Sequence, residues 1–308
     1  MAMRTSGFAH LLAPGQRKVW FEAFQERPTE YTSVCNIETS SRAYETDLRV
    51  AGLGGVVEKP EGTATQYVEA VQGGQKTYTH LSYGLGYRIT QEMYDDDLYR
   101  VMNRMGKALA RAVSNAIEVL GFSVLNHAFD ASPAAAYQGF DGLALCHTAH
   151  TMLGGATQAN RPTDIAFSMT AIRDSVLRFE NWDDELGLPI LLKPKKFVID
   201  PSNKWAAREI LGSGFKPYTA NNEVNALMDE DLSYQVVHYL AGTGYWYLMS
   251  NGGLQGGVGH DINFFWRKKP VHSADDDFDT GDMKVKVFFR ASVGFGYWFG
   301  VDGSDGVA

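Results

Sequence analysis

The sequence predicts an α+β protein of extended shape, with an N-terminal arm, a long β-hairpin, a first unit built around one long helix, and a second unit inserted in the chain. Three observations carry this. An amphipathic helical period runs from Thr90 to Asn126, with Leu98, Val101, Met102, Met105, Leu109, Ala112, Val113, Ala116, Ile117, Leu120 and Val124 on one face. Glycine-rich alternation fills Gly52 to Arg88 ahead of it. Helical and strand patterns then interleave between residues 164 and 270, behind a loop-rich stretch ending at Pro162.

Taken in order, residues 6–27 read as a short helix between a Pro14-Gly15 turn and Pro28, with Val19, Trp20, Ala23 and Phe24 on its apolar side. Residues 29–51 hold no sustained period and are expected to form an extended arm with few local contacts. Residues 1–52 together make the arm. Residues 53–89 form a hairpin or long β-loop around Gly73-Gly74, too poor in apolar surface to stand alone in water, so it is expected to pack on another subunit. Its candidate inter-subunit residues are Glu58, Lys59, Pro60, Glu61, Gly73, Gly74 and Lys76.

The first unit proper spans 90–163. Thr90 is placed to cap its helix, and Glu92, Asp95, Asp96 and Asp97 lie where carboxylates meet the positive end of the helix dipole. Such a helix spans roughly 50 Å, the width of a whole domain. Arg100, Arg104, Lys107 and Arg111 form one basic line on its polar side. That line is either a solvated face steadied by pairs such as Asp96 with Arg100, or a positive ridge facing a polyanion. The second unit spans 164–270. It holds a helix over 164–182, a buried strand at Phe197–Asp200 stopped by Pro201, a helix from Lys204 to Leu211 closed by Gly212, and two strands around the Gly242-Thr-Gly244 turn. Residues 271–308 are expected to return to the first unit, with Met283, Val285, Val287 and Phe289 facing inward along a strand.

Composition narrows the function. A chain of 308 residues that is 44% hydrophobic and 21% charged has material for a sizeable core, and its formal charge of −8 leaves room only for a local contact with a polyanion. Cys35 and Cys146 give neither a disulfide framework nor a finger spacing, which fits a reducing cytosol. No signal-peptide core is present and no run reads as a membrane span, so no membrane partner is expected.

Little in the sequence points to catalysis, and no cofactor is expected. Cys146, His147 and His150 offer three zinc ligands, but the surrounding small residues suit a structural loop better. Gly52-Leu-Gly54-Gly55 lacks the strand and helix of a dinucleotide fingerprint, and the glycines near His260 lack the Lys and Ser/Thr of a phosphate loop. The acidic residues Asp183, Asp184 and Glu185, and the run from Asp275 to Asp279, lack calcium-loop spacing and read as solvated loops.

Several phrases, in this order, resemble the major capsid proteins of tailed bacteriophages with the Hong Kong 97 fold. EKPEG followed by THLSYGLGYRITQEMYDDD is similar to that family's extended loop running into its spine helix. FDGLALCHTAH and GGATQANRP resemble the connector to the axial domain. LLKPKKFVIDPSNKWAAREIL with GFKPYTANNEVNAL resembles the axial domain itself, and KVKVFFRASVGFGYWFGVDGS the closing strand of the peripheral domain. The resemblance implies a non-enzymatic shell protein, assembling as pentamers and hexamers into an icosahedral capsid around double-stranded DNA in the host bacterial cytoplasm. Portal and decoration proteins are implied partners. The family's geometry would put Arg100, Arg104, Lys107 and Arg111 on the inner surface, in non-specific contact with DNA. Because the arm begins within a few residues of Met1, a separate scaffolding protein is implied as well. Lys59 and Lys76 lie where some relatives cross-link, without a pattern that marks either as reactive. The alternatives are a cargo-enclosing bacterial nanocompartment of similar fold and a metal-dependent enzyme built on Cys146.

Overall fold

The computed structural model describes residues 9–90, 92–93, 99–162, 165–217, 223–251, 259–277 and 280–306. Helix α1, Ala9–Gln25, runs straight through the expected Pro14-Gly15 turn. Pro14 costs the helix one backbone donor, which the burial of Trp20, stacked on Phe24 at 5.0 Å, offsets. Helix α2, Tyr99–Asn126, has 28 residues, about 42 Å at the α-helical rise. Thr90 does cap a turn, its hydroxyl accepting from Met93 N at 3.4 Å. Asp95, Asp96, Asp97 and Leu98 lie outside the described residues.

Leu109, Val113, Ile117 and Val124 of the expected stripe are buried, but Met105 is 46% exposed and Ala116 is exposed too. Ala110, Ser114, Glu118 and Phe122 are buried instead. The buried arc is turned because α1 and the segment after it cover a second side of α2. By length and composition Arg104–Asn126 is apolar enough to cross a membrane, contrary to the sequence reading. It is 61% buried in the chain's own core, as the central helix of a globular fold would be.

Two four-stranded sheets organise the rest. The first has the order β1-β10-β11-β4, from β1 (Asn36–Thr39), β10 (Ile262–Asp276), β11 (Met283–Phe295) and β4 (Leu81–Ile89), with only β1 and β10 parallel. The β10–β11 register slips on either side of Lys268, next to Pro270, which has no donor for the ladder. Along β11, Met283, Val285, Val287 and Phe289 are buried and Lys284 and Lys286 exposed, the expected alternation.

The second sheet has the order β12-β9-β7-β8, from β7 (Pro194–Ile199), β8 (Ser233–Val236), β9 (Trp246–Ser250) and β12 (Val301–Ser304). Phe197, Val198 and Ile199 of β7 are fully buried, and every residue of β9 is buried. Helix α3, Met169–Glu180, starts at Ser168, whose hydroxyl accepts from Ala171 N at 3.3 Å, and helix α4 spans Lys204–Gly212. These pairings differ from the expected division of the chain. β10 already belongs to the first sheet well before residue 270, and β12 returns to the second sheet rather than the first. Strand pairing between segments so far apart leaves no local trace in the sequence.

The expected arm is also more structured than its composition suggested. Tyr31, Val34 and Cys35 are buried, β1 joins the first sheet, and β2 (Tyr44–Val50) pairs antiparallel with β3 (Gln72–Thr79). The hairpin is thus made of β2 and β3, with residues 51–71 as its loop. Gly73 and Gly74 lie within β3 instead of at the turn.

Candidate functional site

Among the described residues, the loop is the longest exposed stretch. Glu58, Lys59, Pro60 and Glu61 are all exposed, and the Pro60 carbonyl accepts from Thr63 N at 3.2 Å and from its hydroxyl at 2.7 Å. Gly62 at φ +79° supplies the left-handed position this turn needs. The apolar side chains here are left largely uncovered by the described residues. Val56 is 103% exposed and Tyr67 93%, and Leu53, Val57 and Val68 are exposed as well. Lys76 is a correction to the expected loop set. It is buried, and its amine donates to the carbonyls of Ala135, Gln138 and Ala136 at 2.5, 2.6 and 3.3 Å. Burial lowers the Lys76 amine to about 8.

On α2, Arg104, Lys107 and Arg111 are exposed, and no ion pair among the described residues engages them. The side chain of Arg100 lies outside the described residues, as do the carboxylates expected to pair with this line.

The zinc-like cluster forms a structural hub. His150 is fully buried, stacked on Trp298 at 4.6 Å, with Nδ1 2.5 Å from Asp141 Oδ2 and Nε2 3.0 Å from Asn160 Oδ1. The Asn160 amide is oriented by backbone. Its Oδ1 also accepts from His147 N at 2.8 Å, and its Nδ2 donates to Leu145 O at 2.7 Å and Val301 O at 2.9 Å. His150 must therefore donate from Nε2, and both of its ring nitrogens are engaged. Burial pushes the Asp141 carboxyl up, but the hydrogen bond and charge of His150, the Leu143 N–H and Arg49 together hold it below the usual carboxylate range. Cys146 is buried and free, and burial raises its thiol well above normal. Among the described residues no three His, Cys, Asp or Glu side chains are grouped to hold a metal.

Several residues that hold these surfaces in place escaped the sequence reading. Glu118, buried on α2, accepts from Glu30 N and Tyr31 N at 3.0 and 2.9 Å and so ties the arm to the helix. A carboxylate on the buried side of an amphipathic helix was its only signal. Glu185, read as part of a solvated acidic loop, is buried and paired with Arg49 of β2. Asp302 is fully buried and receives both Nε and Nη2 of Arg178 at 3.2 and 3.0 Å. Of the glycines near His260, residues 252–258 lie outside the described residues.

The family model for phage capsid proteins matches residues 74–301. No curated protein matches the chain in sequence. Among solved structures, the chain is similar to the capsid of cyanophage P-SCSP1u, at 11% identity and a TM-score of 0.57 over 90% of this chain and 88% of that one. It is also similar to the procapsid of bacteriophage JBD30, at 15% identity and a TM-score of 0.51 over 98% and 76% of the two chains. A virus-like particle from Pyrococcus furiosus is similar at 6% identity and a TM-score of 0.52, over 94% and 97%. At such identities these likenesses speak for the fold.

Proposed function

The chain belongs to the phage capsid protein family, a structural and non-enzymatic family, and on that premise we propose that many copies close, as pentamers and hexamers, into an icosahedral shell around double-stranded DNA. The observation that carries this reading is the loop over residues 51–71. Its valines and tyrosine stand in solvent in the single chain, and contiguous apolar surface of this kind marks a contact with another protein. In the shell, the loop lies over an adjacent subunit.

The basic line of α2 takes the other side. Arg104, Lys107 and Arg111, with Arg100 on the same line by spacing, face the packaged DNA and contact phosphates without reading sequence. Each contact is weak, since charges are screened beyond about 8 Å at physiological salt. Repetition over the shell makes it count. Assembly takes place in the host bacterial cytoplasm, with portal and decoration proteins as further partners. A nanocompartment of the same fold would form shells that never hold a genome.

The test is deletion of residues 55–69, the exposed loop alone, which leaves β3 and β4 in their sheets. The remainder is expected to fold as a subunit that forms no shells, while normal shells from the deleted chain would overturn the reading.

A further inference from the structure

The β2–β3 ribbon that carries the loop is attached to the rest of the chain in an inverted manner. Along β2, Tyr44, Leu48 and Val50 are exposed and Arg49 is buried; along β3, Lys76 and Tyr78 are buried while Gln75, Thr77 and Thr79 are exposed. Arginine and lysine are among the side chains least often buried, and leucine and valine among the most. Cations therefore sit where an ordinary ribbon would place apolar anchors.

Both cations are held by several hydrogen bonds. Arg49 grips Glu185 through Nε at 2.8 Å and Nη2 at 2.6 Å, and Nη2 also donates to Thr151 O at 2.8 Å. Glu185 in turn accepts from Leu153 N at 2.8 Å. Gly73 clears the way, since a Cβ there would stand 3.0 Å from the Arg49 stem. Lys76 matches its three hydrogens to the three carbonyls of the 135–138 turn. The two receiving loops belong to different parts of the chain. Lys76 pairs in register with Asp47, two positions before Arg49, so the pins lie about 7 Å apart along the ribbon at the usual strand rise. One pin would leave a pivot, whereas two fix a direction.

We propose that Arg49 and Lys76 are positioning residues for the subunit contact: by pinning the ribbon at two points they aim the 51–71 loop at its neighbour, without touching that neighbour themselves. The proposal rests on the reading of the loop as an inter-subunit element. It also accounts for the inversion, because the polar pins free Tyr44, Leu48 and Val50 to face a second copy.

The test uses Arg49→Met and Lys76→Met in the full chain. Because Arg49→Met leaves the Glu185 carboxylate buried without its counter-charge, Arg49→Met/Glu185→Leu is made alongside it, a replacement that buried ion pairs often tolerate in stability. Hydrogen exchange in purified, unassembled subunits is expected to quicken at least tenfold over residues 44–50 and 72–79, with the core strands β7 and β9 still protected. Shell yield is expected to fall at least tenfold, including in the double variant. Arg49→Lys, which keeps one charged donor, should recover part of both. Unchanged exchange in the ribbon overturns the proposal, and so does faster exchange with a normal shell yield. In that second case the deletion of residues 55–69 tells the two claims apart. If the deletion still abolishes shells, only the pinning role has failed.

Discussion

Asn160 offers the sharpest prediction about what holds the subunit together. Its side chain serves four groups at once: the carbonyls of Leu145 and Val301, the His147 N–H and the His150 ring. The site is fully buried, so Asn160→Ala takes one hydrogen bond from each of the four with no water to replace it. At about 1 kcal/mol for each lost bond, the substitution should cost about 4 kcal/mol. Spread over the unfolding entropy of a chain of 308 residues, that lowers the melting temperature by about 6 °C. Thermal unfolding of unassembled subunits, followed by circular dichroism, measures it. Asn160→Asp, nearly the same shape, should do at least as badly, because it turns oxygen against the two backbone carbonyls and buries a second carboxylate on the His150 ring. A shift below about 2 °C in both variants would refute the hub, since a solvent-relieved site is the only other way to lose four bonds so cheaply.

Three further outcomes follow from the same geometry. Burial, with Lys196 nearby, lowers the His260 imidazole to about 4, so the folded state resists its protonation. The stability this gives is fully present above pH 6.5 and falls by about 3 kcal/mol as pH drops from 6.5 to 4; urea unfolding across that window should show the slope, and His260→Gln should flatten it. A Cβ at Gly121 would lie 2.4 Å from that of Tyr31, so Gly121→Ala should cost about 1–3 kcal/mol by forcing the arm off α2, an effect that an unchanged melting curve would contradict. Replacing Arg100, Arg104, Lys107 and Arg111 together by Gln should give normal empty shells with reduced genome retention, whereas unchanged retention with a less stable subunit would leave those residues only a helix-steadying role.

Much of the fold was legible where short-range pattern and burial agree. The period of α2, the strand at Phe197 and the alternation of β11 each report a surface facing one core, so the residues announce the element. The rest was hidden for physical reasons. β2 was read as part of an extended arm with few local contacts because its pattern is inverted, with Leu48 and Val50 in solvent and Arg49 inside. No rule of apolar burial finds such a strand. The pairing of β12 with β9 depends on distant segments, and Pro14 was read as a turn because nothing local shows that Trp20 would hold α1 in place. At the candidate surfaces, the exposed turn falls at Pro60–Thr63 and not at the Gly73-Gly74 pair on which the hairpin was centred. Lys76 and Glu185 were misplaced because a charged side chain reads as solvated until its partner, far along the chain, is known.

A shell subunit must build closed particles from copies of itself. Electron microscopy of the purified full-length product, with its nucleic-acid absorbance recorded on the same particles, tests it most directly. Closed icosahedral particles of uniform size, able to hold nucleic acid when filled in the presence of the packaging partners, are the predicted result. A product that stays a single 34.0 kDa subunit under every assembly condition, with its 51–71 loop intact, would contradict it.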